Sequence, residues 1–507
     1  MPIIADFGLP SRLRRVSPPI LLAGLLLGCT VGPDFQAPTA PQADRFTEAP
    51  ALRQTASAAT SGGAAQILDS GADVPGAWWE AFRSPQVTDL VTRALRANPD
   101  VTAAQATLRE AIANSRAEEG GLFPQLGLSA SGTREHEPGA ALGEPGGGST
   151  FGLYSGSLNV SYTLDTFGGT RRQIEALDAQ ADYQRFELEA TELTLAANTV
   201  DAAINVASLQ EQIATTQSII ATASAALDVM KQRFDLGGVS RVDVLQQQSL
   251  VDDQVATLPG LQKQLQQARH QLAVYLGARP SDAALPGLDL ATLTLPETIP
   301  VSLPSKLVEQ RPDIRAYESL LHAATAQVGV ATANMLPQIS LTGSYGRDAN
   351  SVSNLFSPAG ILWSVAGSLS QPLFDGGTLS AKREAAKAAL QVAAAQYSST
   401  VNTAFANVGN ALVAIDRDAE ALKTALAAEE TDAESLKVAK AQYEIGAVTY
   451  LSVLTAEQTD QTARLNVVTA RATRFTDTVA LFQALGGGWW NRTDIDPQIA
   501  QCCGVLP

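Results

Sequence analysis

The 507-residue chain is 45% hydrophobic and 17% charged, enough for two or three ordinary domains or one large architecture, and too apolar to stay disordered. A formal charge of −16 with no basic stripe argues against nucleic acid as a partner, and three Cys exclude a disulfide framework. Aromatics are only 6% while Ala, Leu, Gln, Thr and Ser abound, which favours long, narrowly packed helices over a thick core.

At the N-terminus, Arg12, Arg14 and Arg15 precede an apolar run over residues 20–27, too short to span a membrane and right for a secretory signal. The run ends "LLLGC" at Cys29. This resembles a bacterial lipoprotein cleavage box, which implies removal of residues 1–28 as signal peptide and acylation of Cys29. Thr30 after it resembles lipoproteins sorted to the outer membrane. The plainer alternative is an ordinary signal peptide with a chance Cys. Residues 29–77 carry no sustained period and read as a lipidated N-terminus and extended linker; order is expected from Trp78.

The remainder is duplicated. "NPDVTAAQATLREAIANSRAEEGGLFPQLGLSASG" aligns without a gap on "RPDIRAYESLLHAATAQVGVATANMLPQISLTGSYG", matching Pro99 to Pro312 and Pro124 to Pro337. At a second constant offset, "QRFDLGGVSRVDVLQQQ" matches "QYEIGAVTYLSVLTAEQ", pairing Phe234 with Tyr443, Gly237 with Gly446 and Val244 with Val453. The repeats are placed at 78–279 and 305–486, with a Pro-rich linker at 280–304 and a tail at 487–507.

Each copy reads helix, strand, strand, long helix, sharp turn, helix. In the first, helix is expected over 83–120, strands over 122–132 and 153–166, a long helix over 171–235, and a return helix over 240–277 kinked at Pro259-Gly260. The counterparts in the second are 305–335, 336–347, 361–374, 378–445 and 449–485.

The strands alternate: Leu158, Val160 and Tyr162 against Ser157, Asn159 and Ser161, and Ile339, Leu341 and Tyr345 against Ser340, Thr342 and Ser344. That pattern suits a membrane barrel with a lipid-facing outside and a wet lumen, and equally a half-buried soluble sheet. Four strands cannot close a barrel, two chains would supply eight and three would supply twelve with room for a channel, so closure in lipid demands an oligomer. The long helix extends roughly 98 Å at about 1.5 Å per residue. Ile213, Ile220, Leu227 and Phe234, interleaved with Thr216, Ala223 and Met230, form a coiled-coil seam. Gly168-Gly169 and Gly376-Gly377 mark the joints between strand and helix.

"GCTVGPDFQAP", "WWEAF", "NPD" and "RPD", "LFPQL" and "MLPQI", "LFDGG", "QYEIGAVTYLSVL" and "LFQALGGGW" together resemble the outer-membrane factors of tripartite efflux pumps, of the NodT and OprM lipoprotein type, with TolC a more distant relative. The resemblance covers essentially the whole mature chain. It implies a mixed α/β membrane protein that assembles as a homotrimer. Twelve strands, four from each copy, would form an outer-membrane β-barrel, and long coiled-coil helices a periplasmic α-barrel. It further implies a periplasmic adaptor and an inner-membrane pump of the resistance-nodulation-division class as partners, with outer-membrane lipid engaged through the acylated N-terminus.

The helix pairs turn at "FDLGGVSR" and "YEIGAVTY", where Gly237 and Gly446 read as left-handed C-caps and Ser240 and Thr449 as the next N-caps. The resemblance places these turns at the periplasmic mouth. Leu236, Gly237, Val239, Ile445, Gly446 and Val448 are the expected adaptor-docking tips, simple turn packing being the alternative for each apolar residue. Two gate carboxylates known in relatives correspond to Ser452 and Thr455, so copy two lacks that ring. Asp243 takes the equivalent place in copy one, either as a gate charge or as the acidic member of a capping box with Ser240.

His136, His270 and His322 are scattered, and no HExxH, Cys-His cluster, GxSxG, phosphate loop or dinucleotide fingerprint occurs. The chain therefore reads as no enzyme and as needing no cofactor. Two other roles remain open: an exit duct for protein secretion, and a pore-less coiled-coil lipoprotein.

Overall fold

The computed structural model describes residues 30–41, 43, 45–48, 53–138 and 147–492, so Cys29, Cys502 and Cys503 lie outside the described residues. In chain order the elements are β1 (Ile67–Ser70), α1 (Pro85–Ala97), α2 (Pro99–Glu119), β2 (Gln125–Glu137), β3 (Ser149–Leu164), α3 (Gly169–Asp235), α4 (Arg241–Tyr275), β4 (Thr298–Val301), α5 (Pro304–Gln310), α6 (Pro312–Ala333), β5 (Gln338–Ala349), β6 (Ile361–Ser370), α7 (Thr378–Glu444) and α8 (Tyr450–Ala484). They divide into two compact units, each drawing on both halves of the duplication. Of the described residues, one comprises those within 30–36, Glu110–Ala181 and Leu320–Ala394; the other comprises those within Ala37–Arg109, Asp182–Ser319 and 395–492.

The first unit holds a four-stranded antiparallel sheet in the order β2-β3-β5-β6. Each copy contributes one hairpin, and the β3–β5 pairing joins the copies edge to edge. Strands pass into helices at two similar joints. Asp165 accepts from the backbone of Thr170 and Arg171 at 2.9 and 3.0 Å, and Asp375 from that of Gly377 and Leu379 at 2.9 and 2.8 Å. Gly168, Gly376 and Gly377 adopt φ of +75°, +66° and +87°, conformations open to glycine. The amides of Leu379 and Gly377 hold the Asp375 carboxyl below the usual carboxylate range. The N-terminal segment is seated on the first joint: Val31 N donates to the Phe167 carbonyl at 3.1 Å, and a Cβ on Gly168 would meet Thr30 at 2.7 Å. Arg172 donates to the Val31 carbonyl and pairs with Asp34 and Glu175, while Phe35 stacks on His322 at 4.3 Å.

The second unit is helical around a core of Trp78, Phe82, Phe475 and Phe482, in which Trp78 stacks on Phe482 at 5.4 Å. A strap from the segment read as linker is bound by Arg474, fully buried on α8. Its guanidinium donates to the carbonyls of Gly62 and Ala64 and to Thr55 Oγ1. The strap ends in β1, which pairs in parallel with β4 from the Pro-rich segment, so both supposed linkers contain short strands.

Two further expectations are corrected, and a third is met. The first helix of each copy is broken, at Asn98 (φ −70°, ψ 129°) and at Arg311 (φ −79°, ψ 125°), because a residue before proline avoids helical geometry. The return helix is present as expected, running over Arg241–Tyr275 with Pro259 inside it on an exposed face where water can serve the freed carbonyl. In α3 the buried line is Thr216, Ile219, Ala223, Leu227 and Met230, while Ile213 and Ile220 are half-buried and Phe234 is exposed.

Removing Arg474 would leave the Gly62 and Ala64 carbonyls without their donor, while Thr55 Oγ1 keeps that of Gln66 N. Arg474→Ala is expected to cost about 3 kcal/mol and to speed proteolytic cutting within residues 53–66 at least about tenfold. In the same unit burial, and then the charge of Asp477, push Asp201 up to about 7; burial and the Asp477 carboxylate likewise push Asp418 up to about 7, against the lowering effect of Arg474. With both folded values above the unfolded range of about 4, the native state binds the extra protons. Thermal stability is expected to rise as pH falls from about 7 towards 4, and Asp201→Asn with Asp418→Asn should flatten that rise in melting curves.

Candidate functional site

Register divides the sheet into two chemically distinct faces. On one, Leu126 pairs with Val160, Leu128 with Leu158, Leu158 with Tyr345, and Tyr345 with Trp363. These side chains are uncovered in the single chain: Leu128 is 83% exposed, Trp363 71% and Val365 80%. On the other face hydroxyls bond across the strands, Ser129 to Ser157 and Ser344 to Ser364 at 2.8 Å, Ser131 to Ser155 at 2.6 Å and Ser340 to Ser368 at 2.7 Å. Their mutual pairing makes that stretch of the face small, neutral and wettable, with Glu135, Glu137 and Asp348 on the same face towards its far end. The outer edges of β2 and β6 have no strand partner among the described residues.

The helical unit carries the two turns. After α3, Gly238 N donates to the Arg233 carbonyl and Gly237 N to that of Phe234; after α7, Ala447 N donates to Gln442 and Gly446 N to Tyr443. Both are Schellman motifs, and Gly237 and Gly446 each take φ +75° as left-handed caps require. Leu236 is 86% and Ile445 81% exposed at the apices. Val239 and Val448 are half-buried, and Val239 packs against Met230, Tyr450, Val453 and Leu454. The six tip residues thus separate into two apolar apices, two turn glycines and two packing valines.

Asp243 makes a complete capping box. Its Oδ2 accepts from Ser240 N at 3.0 Å and from the Ser240 hydroxyl at 2.8 Å, and Ser240 Oγ accepts from Asp243 N at 3.2 Å. Thr449 occupies the matching position before α8 but makes no side-chain cap; its hydroxyl lies 3.4 Å from that of Ser452. Ser452 and Thr455 are exposed, and the Thr455 hydroxyl donates to the Leu451 carbonyl at 2.9 Å.

The nearest carboxylates along α8 are buried. Glu457 lies 3.9 Å from Lys440 of α7, with burial, the larger cause, raising its carboxyl despite that lysine. Asp460 is buried and paired with Arg464 at 3.0 Å. Sequence reasoning passed over both because their pattern is that of an ordinary charged helix face. Among the described residues no group of three or more His, Cys, Asp or Glu is gathered to hold a metal ion. His136 bonds the Thr150 hydroxyl, and His322 lies 2.9 Å from Glu175.

The outer membrane efflux protein family model matches residues 90–278 and again residues 303–487, one match to each half of the duplication. The chain is 30% identical over 474 residues to the antibiotic efflux pump outer membrane protein ArpC of Pseudomonas putida, covering 93% of this chain and 95% of that one. It is 28% identical to Nodulation protein T of Rhizobium leguminosarum bv. trifolii, over 81% of this chain and 84% of the relative. The solved structure of the outer-membrane channel OprN superimposes with a TM-score of 0.81 at 30% identity, covering 91% of this chain and 100% of that one.

The capping box sets the expected behaviour of Asp243. Asp243→Ala should destabilise the start of α4 by about 1 kcal/mol in denaturant titrations. Asp243→Asn, which keeps an acceptor for Ser240 N, should leave the cation preference unchanged when reversal potentials are measured across a salt gradient.

Proposed function

The chain belongs to the outer membrane efflux protein family, and we propose that it works as a homotrimeric duct. Small molecules handed over by an inner-membrane pump and a periplasmic adaptor would pass through it without any energy input from the duct itself. The observation that carries this reading is the sheet: one apolar face, one hydroxyl face and two unpaired edges. In hydrocarbon an unpaired strand edge costs several kcal/mol per orphaned group, so the sheet is stable there only when identical neighbours close it. Three copies give twelve strands and a lumen lined by paired serines.

At the helical tips, the exposed Leu236 and Ile445 are the proposed adaptor contacts, on turns whose glycine caps present them outward. Val239 and Val448 shape the turns, and Ser452 and Thr455 give the mouth a neutral polar lining. A resistance-nodulation-division pump is the proposed engine. Acylation of Cys29 is the proposed anchor, and it is supported by Thr30, the next residue, which packs on the strand-to-helix joint at Gly168. The lipid would then enter the membrane beside the base of the sheet.

Purified full-length protein is expected to migrate as a trimer and to conduct ions in planar bilayers, while a strain lacking it becomes more sensitive to small toxic compounds. Leu236→Asp combined with Ile445→Asp should abolish that protection and leave bilayer conductance intact. A monomeric, non-conducting particle would sink the reading. Conduction with unchanged drug sensitivity but lost export of a protein would point to a secretion duct.

A further inference from the structure

The duplication supplies a template for a contact that one chain cannot make. Within the chain, β3 and α3 of copy one lie against β5 and α6 of copy two. The converse elements, β6 and α7 of copy two and β2 and α2 of copy one, carry the unpaired sheet edges and the exposed side chains of Glu384 and Arg109. Counterparts follow from the repeat: Pro99 and Gln125 recur as Pro312 and Gln338 at one offset, and Gly169 and Asp235 as Thr378 and Glu444 at another. The hairpins agree, with Gln125 opposite Ser161 recurring as Gln338 opposite Ser370. Transferring the β3–β5 register to these counterparts sets Ser370 opposite Ser129, Leu369 opposite Ala130 and Ser368 opposite Ser131 of a neighbouring copy. Hydroxyls meet hydroxyls and apolar residues meet apolar ones, an order that a shift of one residue would invert. On the helices, Glu175 at 2.9 Å from His322 becomes Glu384 facing Arg109, two opposite charges. The two joints differ in one respect. Within the chain, Arg172 grips Val31 and Asp34, and a Cβ on Gly329 would meet the Val31 carbonyl at 3.0 Å. The counterparts of Arg172 and Gly329 are Ala381, which cannot pair with Asp34, and Arg116, whose side chain takes the room that Gly329 leaves. The N-terminal segment therefore fits only the joint within the chain, and the other joint is left to its own side chains.

We propose that Arg109 of one copy pairs with Glu384 of the next and selects the register of the seam between them, in which Ser129 stands opposite Ser370. The partner is a second copy of this chain, so the inference rests on the trimeric reading given above. Face chemistry excludes odd shifts of the seam. A slip of two residues keeps both faces intact but carries the attached helices about 7 Å along each other, which separates the charges. In the single chain Glu384 has partners on its own helix, Arg383 at 3.6 Å and Lys387 at 2.9 Å, and it remains exposed beside them.

Disulfide mapping in isolated membranes tests the register, on full-length protein carrying Cys502→Ser and Cys503→Ser with Cys29 kept. Within one chain, positions 129 and 370 sit on opposite edges of the sheet, at least about 14 Å apart, so a bond between them reports two copies. Ser129→Cys with Ser370→Cys is expected to give covalent dimers and trimers on non-reducing denaturing gels at least about fivefold faster than Ser129→Cys with Ser368→Cys. Arg109→Glu and Glu384→Arg should each shift that ratio several-fold towards the slipped pair, and the double exchange should restore it. A purely structural role for either side chain would not be rescued in this way. Should a charge variant fail to reach the membrane, the two cysteine pairs in the native-charge protein still decide the register. Faster bonding of the 129–368 pair, no bond in a particle that is still trimeric, or a double exchange that does not restore the ratio would overturn the proposal. A monomeric particle with no bond at all would fell the trimeric reading, and the pairing with it.

Discussion

Backbone groups in hydrocarbon must be hydrogen-bonded within protein, and the rest of the molecule follows from that requirement. One chain supplies β2-β3-β5-β6 with two open edges, a greasy outside and a hydroxyl inside. The hydroxyls of the wet face satisfy one another in serine pairs. Leaving the membrane poses the same problem at the joints, where a strand's inter-strand bonding must give way to a helix's internal bonding. Asp165 and Asp375 take up the first free amides of each helix, and glycines supply the left-handed turn between.

Duplication produced two hairpins, two joints and two tips, but the copies have not stayed equivalent. Backbone features repeat closely: the Schellman turns, the breaks before Pro99 and Pro312, and the aspartate joints. Side-chain features diverge. Copy one keeps an acidic cap at Asp243; copy two has Thr449 and Ser452 there, and its Tyr450 hydroxyl donates to Gln247 of copy one. Along α8 the first carboxylates after the turn, Glu457 and Asp460, are buried in the helix packing.

Much of this was legible in the residues. Strict alternation in the strands, the glycine pairs and the uninterrupted helical runs each state a local rule that the fold obeys, and Ser240-x-x-Asp243 announced its box. What escaped was settled by contacts between distant segments. Four-residue strands such as Ile67–Ser70 and Thr298–Val301 are too short to show a period, and the second contains Pro300. Nothing local says that Arg474 will be fully buried, since its partners come from a strap more than four hundred positions away. The breaks at Asn98 and Arg311 were visible as X-Pro and were overrun by the strong flanking helical pattern. At Pro259 the helix continues, because an exposed helix face tolerates the lost bond.

The pairing of β1 with β4 has a bearing on biogenesis. An exported polypeptide reaches the periplasm from its N-terminal end, so Ile67–Ser70 arrives long before Thr298–Val301 exists to receive it, and β3 likewise waits for β5. Such non-local pairing is slow to form. During the interval the greasy hairpin of the first half is unprotected and can pair wrongly, with a sister chain or with its own later twin. Until the second half has been delivered, β3 therefore presents an edge whose native partner does not yet exist.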